Sequence, residues 1–577
     1  MRTLRFAGNP AAILTATALL CLAAYGPTLT QRAYLHDDSW IIAQNALLDA
    51  GPAGAGTLLA TGYWEAAQGA SARVHEYRPL LMLSYLAQRL TTGRAAQPMH
   101  AVNLLLHLLA CWLVYLVLRR RLSSAAAAAG ALAFAVMPTH AEAVAALTGR
   151  SELLTAALLL GAWLLLERPL TTRRLAAGTA LFSAALYAKE HALLFPLFLA
   201  LSDWTFDRAL PWTRERRRIH AALLASISVY LLIRLAALGI PFGGGEPYFA
   251  GRLTAALTVS RFAFTRYLWP SLTGAGLCPD FVRPLIPDAL PGAALSWPPF
   301  LLLAGLYAAA VAALIKRRAQ WSFWLCAPSI FLLPTIHILA PLDTIGAQRF
   351  LYLPSLGLAA GLGVIWAQAY AARPRPALAA GIFLLAFQAW TCASFTRAWR
   401  AAVPYYEMVL ACNPVSARAR AAYGTELIVA GRAPEGEAQL AESIRLSPAL
   451  ALPYYNLARW AWEQGNIAQA ERRVTESLSR DPGVADAWVL AGLIAQARGR
   501  EAEAEKNLKR ALAISPWNPA ANYNLARLEM ADGRRAESSV HWRAFATYAP
   551  QDPDAPQAAE LARRLDAASE SGARARP

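Results

Sequence analysis

Residues 99–121 read MHAVNLLLHLLACWLVYLVLRRR. The first twenty carry no Asp, Glu, Lys or Arg, and three arginines close the run. That is the length of helix needed to cross a hydrocarbon core of about 30 Å, with a charged stop at its end. Comparable apolar runs lie at 153–166, 219–240, 300–315, 321–339 and 377–393. One such run fits a buried core helix; a long succession of them fits a polytopic membrane protein.

The chain has 577 residues, enough for more than one domain, and a net charge of +17. Such a charge spread over one face would suggest nucleic acid. Here the cations gather at the ends of apolar runs: Arg119-Arg120-Arg121, Arg173-Arg174, Arg214 with Arg216-Arg217-Arg218, Lys316-Arg317-Arg318, Arg373 and Arg375. That is the pattern of cytoplasmic loops, and it excludes nucleic acid as a partner in favour of the lipid bilayer. With residues 1–8 inside, spans fall at about 11–30, 99–118, 123–137, 153–167, 175–188, 191–203, 219–240, 299–315, 321–340, 350–370 and 377–395, about eleven in all. The first follows Arg2 and Arg5 like a signal peptide, but Pro27 adjoins its small-x-small site, so it reads as a retained span. The run 253–270 would put Lys316-Arg317-Arg318 outside if it crossed, so it is expected to lie flat on the outer face. The expected location is a bacterial cytoplasmic membrane, with everything after residue 398 on the periplasmic, outer side. Six cysteines show no metal-ligand spacing and read as small hydrophobes; a Cys278–Cys412 disulfide stays open.

From about residue 400 the pattern changes. Prolines stand at 414, 448, 482, 516 and 550 and glycines at 431, 465, 499 and 533, each series spaced by 34. This is the tetratricopeptide period, two antiparallel helices per unit. The phased columns Tyr454/Trp488/Asn522 and Ala458/Gly492/Ala526 support it. Four full repeats, 417–450, 451–484, 485–518 and 519–552, follow a partial one. The expected fold is all-α: a membrane helical bundle over 1–398, a superhelix over 399–552, and a tail over 553–577 that caps and then frays. On the concave face, Asn456 and Asn524 occupy equivalent positions and are the expected acceptor contacts, clamping an extended peptide by paired amide hydrogen bonds.

Five polar motifs fall on one membrane face in this threading: His36-Asp37-Asp38-Ser39, Glu76-Tyr77-Arg78-Pro79, Pro138-Thr139-His140-Ala141-Glu142 with Gly149-Arg150-Ser151-Glu152, Lys189-Glu190-His191, and Gln348-Arg349-Phe350-Leu351-Tyr352. Each alone could be a solvated turn or an anchor at a span end. Converging acids and cations suit base chemistry beside a phosphate at the outer leaflet. An adjacent acid pair also suits a divalent cation. No phosphate-cradling Gly-rich loop with Lys-Ser/Thr, nucleophile elbow or His-Glu-x-x-His is present.

Asp37-Asp38-Ser39 with Asn45, Tyr77-Arg78-Pro79-Leu80, Asn103 with His107, Pro138-Thr139-His140-x-Glu142, Gly149-Arg150-x-Glu152, Lys189-Glu190 and Arg349-x-Leu351-Tyr352-Leu353-Pro354-Ser355, followed by these repeats, resemble the transmembrane and tetratricopeptide-repeat O-mannosyltransferases of the GT-C superfamily. The resemblance implies an inverting transfer of a sugar, mannose in eukaryotic members, from a polyprenyl-phosphate-linked donor to a protein Ser/Thr hydroxyl. Gln348 stands where an acid is expected before the arginine, and the repeat array is short. The base is then Asp37 or Asp38, and Arg349 is the leading phosphate ligand, with Lys189 and His140 beside it. Glu142, Arg150 and Glu152 fix the loop or the sugar, and Arg78, Glu190 and Tyr352 complete the donor set. Two alternatives remain: a lipid or polysaccharide acceptor, and a non-catalytic membrane-anchored scaffold.

Overall fold

The computed structural model describes residues 9–70, 75–167, 170–206, 213–240, 257, 268–279, 281–282, 297–317, 319–336 and 344–574. The chain forms two compact units, Met1–Leu35 with Ala95–Pro414, and His36–Arg94 with Val415–Pro577. The expected single cut after residue 398 therefore does not follow the packing. The loop between the first two apolar helices belongs to the unit that holds the repeats.

Apart from the antiparallel pair Phe281–Val282 and Thr344–Gly346, the first unit is helical among the described residues. Pro10–Thr30, Ala96–Arg119, Arg214–Leu238 and Pro374–Ala398 are long and apolar enough to cross a membrane. Ser124–Ala135 and Pro138–Ala145 together make a fifth candidate, bent by 48°. Pro138 cannot donate the hydrogen bond that would continue the first helix, so the bend falls there. Other expected spans carry shorter apolar helices, such as Leu356–Ala372. The helix Ser124–Ala135 packs against Leu356–Ala372 through glycine: a Cβ on Gly363 would lie 2.2 Å from the Ala126 carbonyl oxygen. Small residues of this kind let apolar helices touch backbone to backbone. The surface-lying segment expected at 253–270 falls almost wholly outside the described residues. The thiols of Cys278 and Cys412 are joined in a disulfide with 5.9 Å between Cα atoms.

In the second unit, four helix pairs run from Ala417–Val429 to Arg535–Tyr548, and Ala555–Arg574 follows. Gly431, Gly465, Gly499 and Gly533 turn each pair at φ between +73° and +81°, a region that glycine enters without steric cost. Tyr454 Oη, Trp488 Nε1 and Asn522 Nδ2 donate to the carbonyls of Pro448, Pro482 and Pro516 at 3.3, 2.7 and 3.1 Å. Three different side chains thus do one job, tying each repeat to the proline that ends the one before. Trp542, Phe545, Ala558, Ala562 and Leu565 form the closing core.

The loop docks on this array. Ala70 N–H donates to the Ile514 carbonyl at 2.7 Å, and Ala46–Asp49 packs on Arg535–Tyr548. In Pro79–Thr92, Leu81, Met82, Tyr85 and Leu86 are buried, so protein covers its apolar face.

Candidate functional site

Between the bend at Pro138 and the helix Arg150–Leu166, the chain makes a short buried loop with Thr139, His140, Glu142, Arg150 and Glu152 all at most 2% exposed. Gly149 lets it close, since a Cβ there would sit 2.2 Å from the Ala143 carbonyl oxygen. Asn103 fastens it from Ala96–Arg119: Nδ2 donates to the Ala146 carbonyl at 3.0 Å, and Oδ1 accepts from Arg150 Nε at 3.0 Å. Arg150 Nη2 also donates to the Met99 carbonyl at 3.1 Å.

Each acid of the loop holds a cation from a distant segment. Glu142 accepts the Arg349 backbone N–H at 2.9 Å through Oε2 and the Arg349 guanidinium through Oε1. Glu152 accepts from Lys189 Nζ through Oε1, with His191 Nδ1 3.8 Å from its Oε2. The Phe350 ring lies beside both cations, with Lys189 Nζ at 5.3 Å and Arg349 Cζ at 5.5 Å from its centroid. A buried carboxylate is tolerable because it is paired, and the pairing fixes each cation in place. Glu190 lies 4.0 Å from Arg234 Nη1.

Behind the cations is an aromatic layer. His107 Nδ1 is 2.7 Å from Tyr352 Oη and its Nε2 is 3.0 Å from the Ala135 carbonyl. A carbonyl can only accept, so Nε2 carries the proton and Nδ1 accepts from the tyrosine. Ser355 Oγ donates to the Tyr352 carbonyl at 2.8 Å and accepts from His140 Nε2 at 2.7 Å. The arrangement joins His140, Glu142, Arg150, Glu152, Lys189, Arg349 and Tyr352 in one unit. It adds Asn103, His107 and Ser355, which belong to the sequence motifs but carried no assigned role. It also places Gln348 at 1% exposure with neither amide atom hydrogen-bonded.

The two acids lie in the other unit. His36 takes φ +53°, and its Nδ1 is 2.8 Å from Asp37 Oδ1. Asp38 is 1% exposed and leads into a π-helical turn, Ser39–Ala43, a geometry frequent at functional sites. Asn45 Nδ2 donates to the Ile41 carbonyl at 3.1 Å, closing that turn. Arg78 pairs with Glu76 at 2.7 Å, its guanidinium 5.1 Å from the Tyr63 ring centroid.

Asn456 and Asn524 differ despite their equivalent positions. Asn456 is 8% exposed, and Asn524 Nδ2 donates to the Ala520 carbonyl of its own helix at 2.8 Å. Asn456 is thus the more enclosed of the two, and Asn524 is half-buried.

Spacing gave no sign of Cys21, His107 and Cys111, whose ligand atoms lie within 4.8 Å of one another. Both His107 nitrogens are engaged by Tyr352 and Ala135, so this group reads as packing.

A tetratricopeptide repeat model matches residues 495–565. The protein O-mannosyl-transferase Tmtc1 of Drosophila melanogaster is 35% identical over 195 residues, 33% of this chain and 22% of that protein. The protein O-mannosyl-transferase TMTC1 of Mus musculus is 33% identical over 162 residues, 28% of this chain and 17% of that protein. The chain thus spans about a fifth of the length of the curated relatives it matches. Among solved structures, the crystal structure of MamA is similar at 17% identity and TM-score 0.23, covering 26% of this chain and 87% of that one.

Proposed function

We propose that this chain is a membrane glycosyltransferase that moves a sugar from a polyprenyl-phosphate donor to a protein Ser/Thr hydroxyl, with inversion. The observation that carries the reading is the pair of cations, Arg349 and Lys189, held by the buried acids Glu142 and Glu152 beside one aromatic ring. Similarity to protein O-mannosyl-transferases supports the same class.

In the step proposed, the acceptor oxygen attacks the anomeric carbon as the bond from that carbon to the phosphate oxygen breaks. The sequence resemblance assigns the hydroxyl proton to the Asp37 carboxylate, whose Oδ1 lies 2.8 Å from His36 Nδ1 within its own unit. The bonding pair leaves on the polyprenyl phosphate, whose charge Arg349 and Lys189 stabilise, the guanidinium by its planar fork. Asp38 is the second candidate base, or with Asp37 a seat for a divalent cation. Arg150, fixed by the Asn103 side chain and the Met99 carbonyl, adds a further buried guanidinium to the same cluster. Placement of the acids and repeats outside the cytoplasm is part of the same reading, and the Cys278–Cys412 disulfide supports it, because such bonds persist in oxidising compartments.

Purified protein in lipid, offered polyprenyl-phosphate sugars and envelope peptides with and without chelator, tests the reading. Asp37→Asn and Arg349→Ala should each lower turnover by about 10²-fold or more with the protein still folded. Full activity in the Asp37→Asn/Asp38→Asn double variant would exclude these acids as the base. Absence of sugar transfer from every donor would favour the membrane-anchored scaffold instead.

A further inference from the structure

The helices that carry the cation cluster have a second polar site at their other ends. Asn103 lies near the start of Ala96–Arg119 and Arg150 opens Arg150–Leu166, whereas Arg120, Arg121 and Glu167 follow the ends of those two helices. The helix Arg150–Leu166 has seventeen residues and is about 25 Å long at 1.5 Å per residue. At this far end is a cavity of about 280 Å³ lined by Arg120, Arg121, Arg216, Glu167, Ser202 and Asp203, with Phe206 as its apolar wall.

The described lining is rich in cations. Arg120 and Arg121 share one carboxylate, Glu167. Arg216 Nη2 lies 3.1 Å from Asp203 Oδ1, and the other Asp203 oxygen is 3.7 Å from His220 Nε2. Among the described lining residues, three guanidiniums face two carboxylates. Arg174 brings a fourth, donating to the Leu164 carbonyl at 2.8 Å next to Arg120 at 3.1 Å. The carbonyl ends of Arg150–Leu166 absorb part of the excess through the helix dipole, with Arg216 Nη1 3.0 Å from the Leu166 oxygen. What remains is a cationic hollow in which Arg121 Nε is buried without a hydrogen-bond partner. The Arg121 guanidinium carbon sits 4.5 Å from the Phe206 ring centroid, which holds its plane in position. In the adjoining stretches of sequence, Arg119, Arg173, Arg214, Arg217 and Arg218 are exposed.

We propose that this cavity binds the phosphate of an anionic membrane lipid. Three features favour a lipid headgroup as the source of the phosphate. The cavity lies at the ends of apolar helices, where headgroups sit; one wall is aromatic; and the loops around it carry the arginine excess that marks the leaflet rich in anionic lipid. The volume admits a phosphate together with the glycerol it carries. Arg121 and Arg216 grip the phosphate oxygens, and the Ser202 hydroxyl is placed to donate as well. Glu167 and Asp203 hold the guanidiniums in position and weaken the site by their charge. The site is separate from the transfer chemistry, and it ties Ala96–Arg119, Arg150–Leu166, Phe195–Phe206 and Arg214–Leu238 together on the side away from the sugar.

The test uses full-length protein in phosphatidylcholine nanodiscs, titrated with phosphatidylglycerol and, separately, with inorganic phosphate. Native mass spectrometry counts retained lipid and thermal unfolding reads stabilisation. Phosphatidylglycerol should be retained and should raise the melting temperature, and Arg121→Gln/Arg216→Gln should weaken its binding by about tenfold or more. Asp203→Asn removes an opposing charge and should tighten binding severalfold, a gain that misfolding cannot imitate. Equal stabilisation by inorganic phosphate would make this a soluble-anion site and overturn the lipid assignment. Retention of phosphatidylglycerol no better than phosphatidylcholine, or weaker binding in Asp203→Asn, would overturn the proposal altogether.

Discussion

At the scale of single residues, the cation cluster is defined by who holds whom. Lys189 and Glu152 are both buried and paired, so removing either takes the ion-pair partner from a charge in a low-dielectric setting, at a cost of up to about 3–5 kcal/mol. Glu152→Gln and Lys189→Met should each lower the thermal stability of the purified protein. The double variant, which strands no charge, should recover part of that loss. Transfer activity should behave differently: if Lys189 meets the donor phosphate, the double variant regains stability and stays inactive. Recovery of both together would reduce Lys189 to a structural ion. The residue types were readable from sequence, because Lys, Arg and paired acids at span ends are costly unless they serve a purpose. Their partners were not. Glu142 meets Arg349 across 207 positions of chain, and Asn103 meets Arg150 across 47. No local pattern carries such distances. Gln348 was noticed only as a departure, and its burial without hydrogen bonds could not be read from its neighbours in sequence.

At the scale of elements, the repeats were the most readable part, since a 34-residue period repeats the same local physics several times over. Tyr454, Trp488 and Asn522 were visible as a column, but its meaning was hidden by their different chemistry; their shared partner, the proline carbonyl, appears only in three dimensions. The last full repeat departs from the others in a way that pH can detect. Glu529 is 1% exposed, and burial pushes its carboxyl up to about 7, opposed by Arg534. A carboxyl raised in the folded state binds more protons there than in the unfolded chain, so its contribution is fully present below about 4.5 and is lost as pH rises towards 7. His541, 3.8 Å away, acts in the opposite sense: burial pulls its imidazole down, so its contribution is lost as pH falls below its ordinary value of 6.5. The two partly cancel in the native protein. Glu529→Gln removes one of them, so the melting temperature of that variant relative to wild type should improve steadily between pH 4.5 and 7. A difference independent of pH would mean that Glu529 is ionised throughout.

At the scale of the whole molecule, the boundary between the units was the feature least accessible to sequence reading. Apolar runs and repeats differ so plainly in composition that a cut near residue 400 looked sufficient, yet His36–Arg94 packs with the repeats. The contacts that tie it there, Ala46–Asp49 on Arg535–Tyr548 and the Ala70 N–H on the Ile514 carbonyl, join segments hundreds of positions apart, and no local pattern announces them. The opposite holds for Cys278 and Cys412. They are 134 positions apart, yet both fall in the unit that holds the apolar helices, where their bond pins the end of the Ala402–Cys412 helix to the segment before the Phe281–Val282 strand. Closing a loop of that length restricts the unfolded chain and is worth about 4–5 kcal/mol in the chain-entropy account. Cys278→Ser/Cys412→Ser should therefore lower the melting temperature, and reductant should bring wild type down to the same value without moving the double variant. The remaining cysteines, Cys21, Cys111, Cys326 and Cys392, are buried and unbridged, so denatured protein from oxidised membranes should take up four equivalents of an alkylating agent, rising to six after reduction. Six before reduction would mean that these two thiols meet a reducing compartment, and the outward placement of this end of the membrane unit would have to be reversed.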